Sequence, residues 1–144
     1  VGVPTFEALA LNVLAMAEPP VNLVVLMDAR HRQVFAETFR LAGDGAGYTV
    51  TTSGRLVYLQ ELLADLPTPV AFLGELGTHR EQLLAAGTLL PSELAVPRAE
   101  SVYQLGWRMA QAGRFSDIDR LIPVYYRLPT PVEKLAAKER QRPA

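Results

Sequence analysis

Four acidic residues are spaced in a way that could support metal-dependent chemistry. Asp28 and Glu75 each follow an apolar run, whereas Glu61 and Glu100 lie in amphipathic segments. Converging carboxylates can hold divalent cations against a phosphate, so these residues predict, as an alternative, a metal-dependent nuclease or phosphoesterase. Acids at strand ends and in first helical turns are equally expected on capping and solubility grounds. The sequence therefore favours a protein with no catalytic, cofactor-binding or metal-binding residue.

A basic cluster follows the first apolar run and predicts an interaction surface. Arg30, His31 and Arg32 stand between two stretches rich in apolar and β-branched residues, Leu23–Met27 and Val34–Leu41. That pattern is typical of an antiparallel hairpin with a basic tip. Such a tip could bind phosphate or an acidic partner, although a solvated turn is the simpler interpretation. No acid or nucleophile lies close enough in sequence to indicate that His31 is a general base.

A second candidate interaction surface lies near the carboxyl end. Tyr125, Tyr126 and Arg127 follow the apolar residues Leu121–Val124. Aromatic residues with an arginine are enriched at protein interfaces. Packing of this strip against the protein's own core is the favoured interpretation.

A glycine-containing turn follows the fourth apolar strand and could in principle cradle a phosphate. The segment Gly74–Gly77 lacks the lysine and hydroxyl residue of a P-loop and the third glycine of a dinucleotide fingerprint. A strand-to-helix turn that simply needs glycine is the preferred interpretation.

Composition places the chain among ordinary globular proteins and excludes several functions. The 144 residues are 49% hydrophobic and 20% charged, and the net charge is −1. Proteins that bind nucleic acid tightly usually carry a basic excess, which this chain lacks. Without cysteine it has no disulfide, thiolate metal site or cysteine nucleophile, and two histidines are too few for a histidine-based zinc site. No membrane-spanning or signal segment is evident, so a cytoplasmic location is expected.

Hydrophobic periodicity predicts a mixed α/β fold. The pattern gives a helix from Thr5 to the Pro19–Pro20 pair, strands over 23–27, 34–41, 48–52, 70–74 and 93–96, and helices over 54–66, 78–86 and 99–112. Three antiparallel strands followed by alternating helices and strands are typical of a ribonuclease-H-like domain. We therefore predict a mixed five-stranded sheet with helices on both faces.

The same pattern suggests three parts of the chain. Residues 1–20 form the end of a linking strand and a helix that continue from a missing segment. Residues 21–127 form the ribonuclease-H-like lobe, and residues 128–144 form a polar, basic tail.

Three segments together resemble the TsaB (YeaZ) family, once called glycoproteases. Val1–Ala10, VGVPTFEALA, is similar to the family segment VGVsTLEALA. Asp28–Phe35, DARHRQVF, resembles its DARrgeVY hairpin, and Pro123–Arg127, PVYYR, resembles its closing PvYlR. Pro4 replaces a serine of the family segment. Gln33 stands where the family usually has a small residue followed by an acidic one. The segments occur in the family's order and at about its spacing.

The resemblance implies a fold and a role. It implies an actin-like, two-lobed protein of which this chain is the C-terminal portion, without the N-terminal lobe and its GPGSFTGLR segment. It implies a non-catalytic dimerisation subunit that supports synthesis of threonylcarbamoyladenosine in tRNA. The implied partners are the catalytic subunit TsaD and the ATPase TsaE, with a homodimer possible and tRNA contacted at most indirectly. The older family name also suggests a peptidase, for which no nucleophile is visible.

Overall fold

A computed structural model describes residues 1–29 and 31–123 of the chain. The regular elements are α1 Thr5–Val13, β1 Asn22–Asp28, β2 Gln33–Leu41, β3 Tyr48–Tyr58, α2 Leu59–Ala64, β4 Ala71–Glu75, α3 Arg80–Ala86, β5 Thr88–Leu89 and α4 Ala99–Gln111. Short 3₁₀ turns cover Gly77–His79, Ser92–Ala95 and Ile118–Arg120.

The strands form one mixed sheet in the order β3-β2-β1-β4-β5. β1 pairs antiparallel with β2, and β2 with β3, whereas β1 pairs parallel with β4, and β4 with β5. The predicted mixed five-stranded sheet is therefore confirmed. β1 is its central strand, and Leu23–Leu26 are buried on both faces, as the unbroken apolar run indicated.

Helices cover both faces of the sheet. On one face, α2 and α3 contribute Leu59, Leu62 and Leu83 to a core that includes Val24 and Phe72. On the other face, the apolar stripe of α1 packs against the alternate side chains of β1 and β2; its members are Phe6, Leu9, Ala10 and Val13. The predicted helix is present, although it ends at Val13 and not at the prolines.

α4 lies against the outer side of α1. Leu105 and Met109 pack on Ala8 of α1. α4 ends at Gln111, one residue before the predicted end. Gly113 follows with a φ of +70°, and this left-handed residue lets Arg114 N–H donate to the Met109 carbonyl at 2.9 Å. None of the described helices is long and apolar enough to span a membrane.

The prediction for residues 48–66 was wrong in its division between strand and helix. β3 continues to Tyr58, and only Leu59–Ala64 are helical. Residues after Ser53 pair with β2, as in the Leu56–Phe35 and Tyr58–Gln33 pairs. Pairing with β2 thus overrides a leucine spacing that a helix could also have used.

The predicted fifth strand over 93–96 was also wrong. Ser92–Ala95 form a 3₁₀ turn, and the fifth strand is the two-residue β5 immediately after α3. Thr88 N–H donates to the Val70 carbonyl at 3.0 Å, and Leu90 N–H donates to the Phe72 carbonyl at 2.9 Å. So short a strand carries no periodicity of its own and is defined by its partner.

Candidate functional site

The hairpin between β1 and β2 presents basic residues to solvent, as predicted. Ala29 N–H donates to the Gln33 carbonyl at 3.0 Å and closes the loop. His31 and Arg32 are exposed, and Arg30 lies outside the described residues. The tip is thus a small cationic projection at one end of the central strands, and it can contact an anionic partner.

Backbone geometry at this tip is unusual for residues with side chains. The φ angle is 51° at His31 and 63° at Arg32, in the left-handed region that glycine or asparagine normally occupies. Each such residue costs about 1 kcal/mol or more, and strain of this kind is concentrated at functional loops. Arg32 is nevertheless held in place, because its carbonyl accepts a 3.1 Å hydrogen bond from Leu59 N–H.

The second predicted interaction surface, Tyr125, Tyr126 and Arg127, lies outside the described residues. The residues that lead into it are exposed and apolar: Leu121 is 55% exposed and Ile122 is 73% exposed.

The four acids of the metal-dependent alternative do not form a metal site in the described chain. Glu61, Glu75 and Glu100 are exposed, and within residues 1–29 and 31–123 no three His, Asp or Glu side chains converge closely enough to hold a metal ion. Asp28 instead meets buried His79, whose Nε2 lies 3.5 Å from Asp28 Oδ1. Sequence analysis missed this pair, because His79 joins it only through the turn after β4.

The Gly74–Gly77 turn needs glycine for steric reasons. Gly74 has φ of +133°, and a Cβ there would overlap the Leu26 carbonyl of the neighbouring strand. Gly77 has φ of +48° and lies against the Asp28 carboxylate. A phosphate would be repelled by that carboxylate, so the preferred interpretation of a close-packed turn fits the geometry.

A cleft of about 820 Å³ opens on the α1 face of the sheet, beyond the first turn of that helix. Its walls come from four separate parts of the chain: Gly2–Glu7, Met27 with Phe35 and Glu37, Ser53 with Gly54, and Ser116 with Leu121–Pro123. The wall is mainly apolar, and its acidic groups are Glu7 and Glu37. Clefts of this size and character are the usual form of a binding site.

Glu37 is the buried charge of this cleft. The residue is 8% exposed, and its Oε1 accepts a 3.2 Å hydrogen bond from Gly54 N–H of β3. Burial raises the pKa of the Glu37 carboxyl; the Gly54 hydrogen bond opposes that shift, and the nearby negative charge of Glu7 adds to it.

Sequence analysis missed the cleft, although one signal was available. In β2, Phe35, Glu37 and Phe39 alternate on the same face, and a carboxylate between two core aromatics is out of place in a buried strand. The other walls could not be found in this way, since they come together only in the folded chain.

An aromatic pair lies on the outer face of α4. Tyr103 and Trp107 are one turn apart, their ring planes are 21° from parallel, and their centroids are 6.3 Å apart. Both are more than half exposed. Their stacking limits the apolar area that each ring presents to water.

Sheet order, mixed strand directions and helices on both faces define a ribonuclease-H-like α/β lobe. Comparison with solved structures agrees. The chain is similar to YeaZ from Pseudomonas aeruginosa, with a TM-score of 0.61 and 16% identity, over 83% of this chain and 56% of that one. It is equally similar to an uncharacterized protein described as similar to the peptidase YeaZ from the same organism, with a TM-score of 0.62 and 16% identity, over 84% of this chain and 56% of that one.

These similarities concern the fold, because the identities are low. The chain spans little more than half the length of either neighbour. No protein-family model matches the sequence, and no curated protein matches it significantly.

Proposed function

We propose that this chain is a lobe of a TsaB-type scaffold, which supports threonylcarbamoyl transfer to adenosine in tRNA without performing the chemistry. The observation that carries the proposal is the shared fold with YeaZ over more than four fifths of the chain. The three ordered segments that resemble the family, near Val1, Asp28 and Pro123, support it independently.

The dispersal of the acidic side chains also favours a scaffold. Asp28 is engaged with His79, and Glu61, Glu75 and Glu100 point into solvent within the described part of the chain. A ribonuclease-H-like nuclease needs several carboxylates around two metal ions. The described residues therefore favour the scaffold over the metal-dependent alternative.

The proposed partners are a TsaD-type catalytic subunit and a TsaE-type ATPase in the cytoplasm. The basic tip of Arg30, His31 and Arg32 is the proposed contact, since His31 and Arg32 are exposed and the position of Arg32 is fixed by the hairpin. Rim charges of this kind influence association rate and partner choice more than they influence folding. A second copy of the chain is a further possible partner, and contact with tRNA is expected to be indirect.

The proposal is tested by reconstitution. The protein is mixed with the TsaD-type and TsaE-type proteins of the same cell, unmodified tRNA, ATP and an activated threonylcarbamoyl donor. Threonylcarbamoyladenosine in the tRNA is then quantified by mass spectrometry with and without the protein. We expect co-elution with the TsaD-type protein and modification that depends on this chain. The matched variants are Arg32→Glu, which reverses charge at the tip, and Arg80→Glu, which reverses the charge of an exposed arginine on α3.

Loss of complex formation with Arg32→Glu but not with Arg80→Glu would support the tip as the contact. Modification that proceeds equally well without the chain would refute the scaffold role. Cleavage of tRNA in Mg²⁺ that is lost on Asp28→Asn would favour the nuclease instead.

A further inference from the structure

The cleft beyond α1 combines negative charge with an apolar wall, and its described residues supply no compensating cation. Its described lining residues include Glu7 and Glu37 but no lysine, arginine or histidine. Neither carboxylate forms an ion pair within the described part of the chain. A buried carboxylate normally has a cationic partner, and the described walls of the cleft supply none.

Within the described residues, the Glu37 carboxylate uses little of its hydrogen-bonding capacity. Its carboxylate is more than nine-tenths buried and accepts one described hydrogen bond, from Gly54 N–H. An ionised carboxylate has two oxygens that can together accept about four hydrogen bonds. Burial and the charge of Glu7 both raise the pKa of this group, which means that the site disfavours an isolated anion. A bound cation would relieve both effects.

We propose that this cleft binds a segment of a partner polypeptide that inserts an arginine or lysine side chain between apolar residues. The cationic group meets Glu37 at the floor of the cleft and Glu7 at the first turn of α1. Arginine suits this position best, because its planar guanidinium donates two parallel hydrogen bonds to a carboxylate and is weakly hydrated. Phe6 and Met27 contact its apolar neighbours.

The edge of the sheet favours a polypeptide over a small organic cation. Ser53 and Gly54 line the cleft and belong to β3, which is the outermost strand of the described sheet. An unpaired strand edge offers main-chain hydrogen bonds to an extended segment, here from groups of β3 other than the Gly54 N–H, which already donates to Glu37. Leu121 and Ile122 extend the apolar wall outward and are mostly exposed, so they can cover residues on either side of the inserted cation.

The test uses two peptides and the methionine methyl groups. One peptide carries a central arginine between apolar residues, and the other carries citrulline, which has nearly the same shape without the charge. The full chain, with ¹³C-labelled methionine methyls, is titrated by NMR. Met27 lines the cleft, whereas Met16 and Met109 lie elsewhere and serve as internal references. We expect the arginine peptide to shift Met27 alone and to bind about tenfold or more tightly than the citrulline peptide.

The variant Glu37→Gln separates charge from fold. Glutamine keeps an oxygen for the Gly54 N–H, so the variant should fold, which its thermal unfolding will confirm. We expect Glu37→Gln to abolish the preference for arginine over citrulline, and Glu61→Gln, at an exposed position on α2, to preserve it.

Four results would overturn the proposal. One is equal or absent binding of the two peptides to the unaltered chain, and a second is an arginine preference that survives Glu37→Gln. The third is tighter peptide binding to Arg127→Gln, which would assign the cleft to the chain's own arginine. N-acetylarginine amide that binds as tightly as the peptide would show that the occupant is a small cation and not a polypeptide.

Discussion

The amide of Asn12 joins three parts of the structure through one buried side chain. Its Nδ2 donates to the carbonyls of Leu94 and Val96, each at 2.8 Å, and its Oδ1 accepts from Ser101 Oγ at 2.6 Å. A buried network in which every member has a partner fixes one arrangement, because each partner is costly to leave alone. Asn12 therefore holds α4 and the 92–95 turn against α1.

Substitution of Asn12 should be among the most destabilising changes at a polar position. We expect Asn12→Ala to lower the free energy of unfolding by about 2–4 kcal/mol, because it leaves several buried polar groups without partners. Urea unfolding measures this loss. Ser101→Ala should cost about 1 kcal/mol, and the double variant should cost less than the sum of the two. Additive losses would show that the network does not act as a unit.

The carboxyl of Glu37 makes stability depend on pH in a defined direction. Its pKa in the folded chain lies above the ordinary value of 4.5, chiefly because of burial. The folded state therefore binds this proton more tightly than the unfolded state, and the stability that it contributes at low pH is lost as pH rises through the folded pKa.

We expect Glu37→Gln to raise the free energy of unfolding at pH 7 by about 0.5–1 kcal/mol. The difference between the variant and the unaltered chain should shrink as pH falls below the folded pKa, because the unaltered carboxyl is then neutral as well. Urea unfolding at pH 4 and at pH 7 tests the sign, with Glu61→Gln as the exposed control. A larger difference at pH 4 than at pH 7 would contradict the assignment.

Among the contacts between elements, the pairing of β1 with β4 requires glycine at one position. Gly74 pairs with Leu26 in the parallel register, in a conformation that a side chain cannot share with the Leu26 carbonyl. We expect Gly74→Ala to cost about 3 kcal/mol or more, or to prevent folding. Gly43→Ala, where an added Cβ meets nothing within 4 Å, should change stability by less than about 0.5 kcal/mol. Thermal unfolding of the two variants side by side decides this.

At the hairpin tip, the effects of backbone strain and of charge can be tested by separate substitutions. Because His31 and Arg32 both have positive φ, we expect the pair of changes His31→Asn and Arg32→Gly to stabilise the chain by about 0.5–1 kcal/mol. Arg30→Glu with Arg32→Glu keeps side chains at these positions and reverses the charge, so it should leave the melting temperature nearly unchanged. A large loss of stability in the charge-reversed variant would show that the tip packs against the rest of the protein.

Elements with strong local signals could be predicted, and elements defined by a partner could not. The run Leu23–Met27 and the polar interruption after it specify β1 and the hairpin. Leu56, Leu59 and Leu62 fit a helix as well as a strand followed by a helix, and only pairing with β2 decides between them. The cleft was out of reach for the same reason, since Glu37 is recognisable in sequence but Gly2–Glu7 and Leu121–Pro123 join it only in three dimensions.

At the scale of the whole molecule, the described surface exposes several large apolar side chains to solvent. Phe115, Ile118 and Ile122 are each more than 70% exposed, and they follow the half-exposed Trp107 along the chain. The solved neighbours are nearly twice as long as the region they share with this chain. Exposed apolar patches of this kind mark surfaces where proteins meet, which agrees with the proposed scaffold role.

The position of α1 has a consequence for how the chain reaches this structure. The helix is synthesised before the five strands of the described sheet, yet its apolar side is covered by β1, β2, β4 and the 92–95 turn. Asn12 of this helix binds Ser101, which lies 89 residues further along the chain. During synthesis, the contacts that cover the apolar side of α1 therefore form only after most of the sheet has been made. Although α1 precedes the described strands in the chain, it is among the last of the described elements to be secured, and in that interval the nascent chain is most exposed to aggregation.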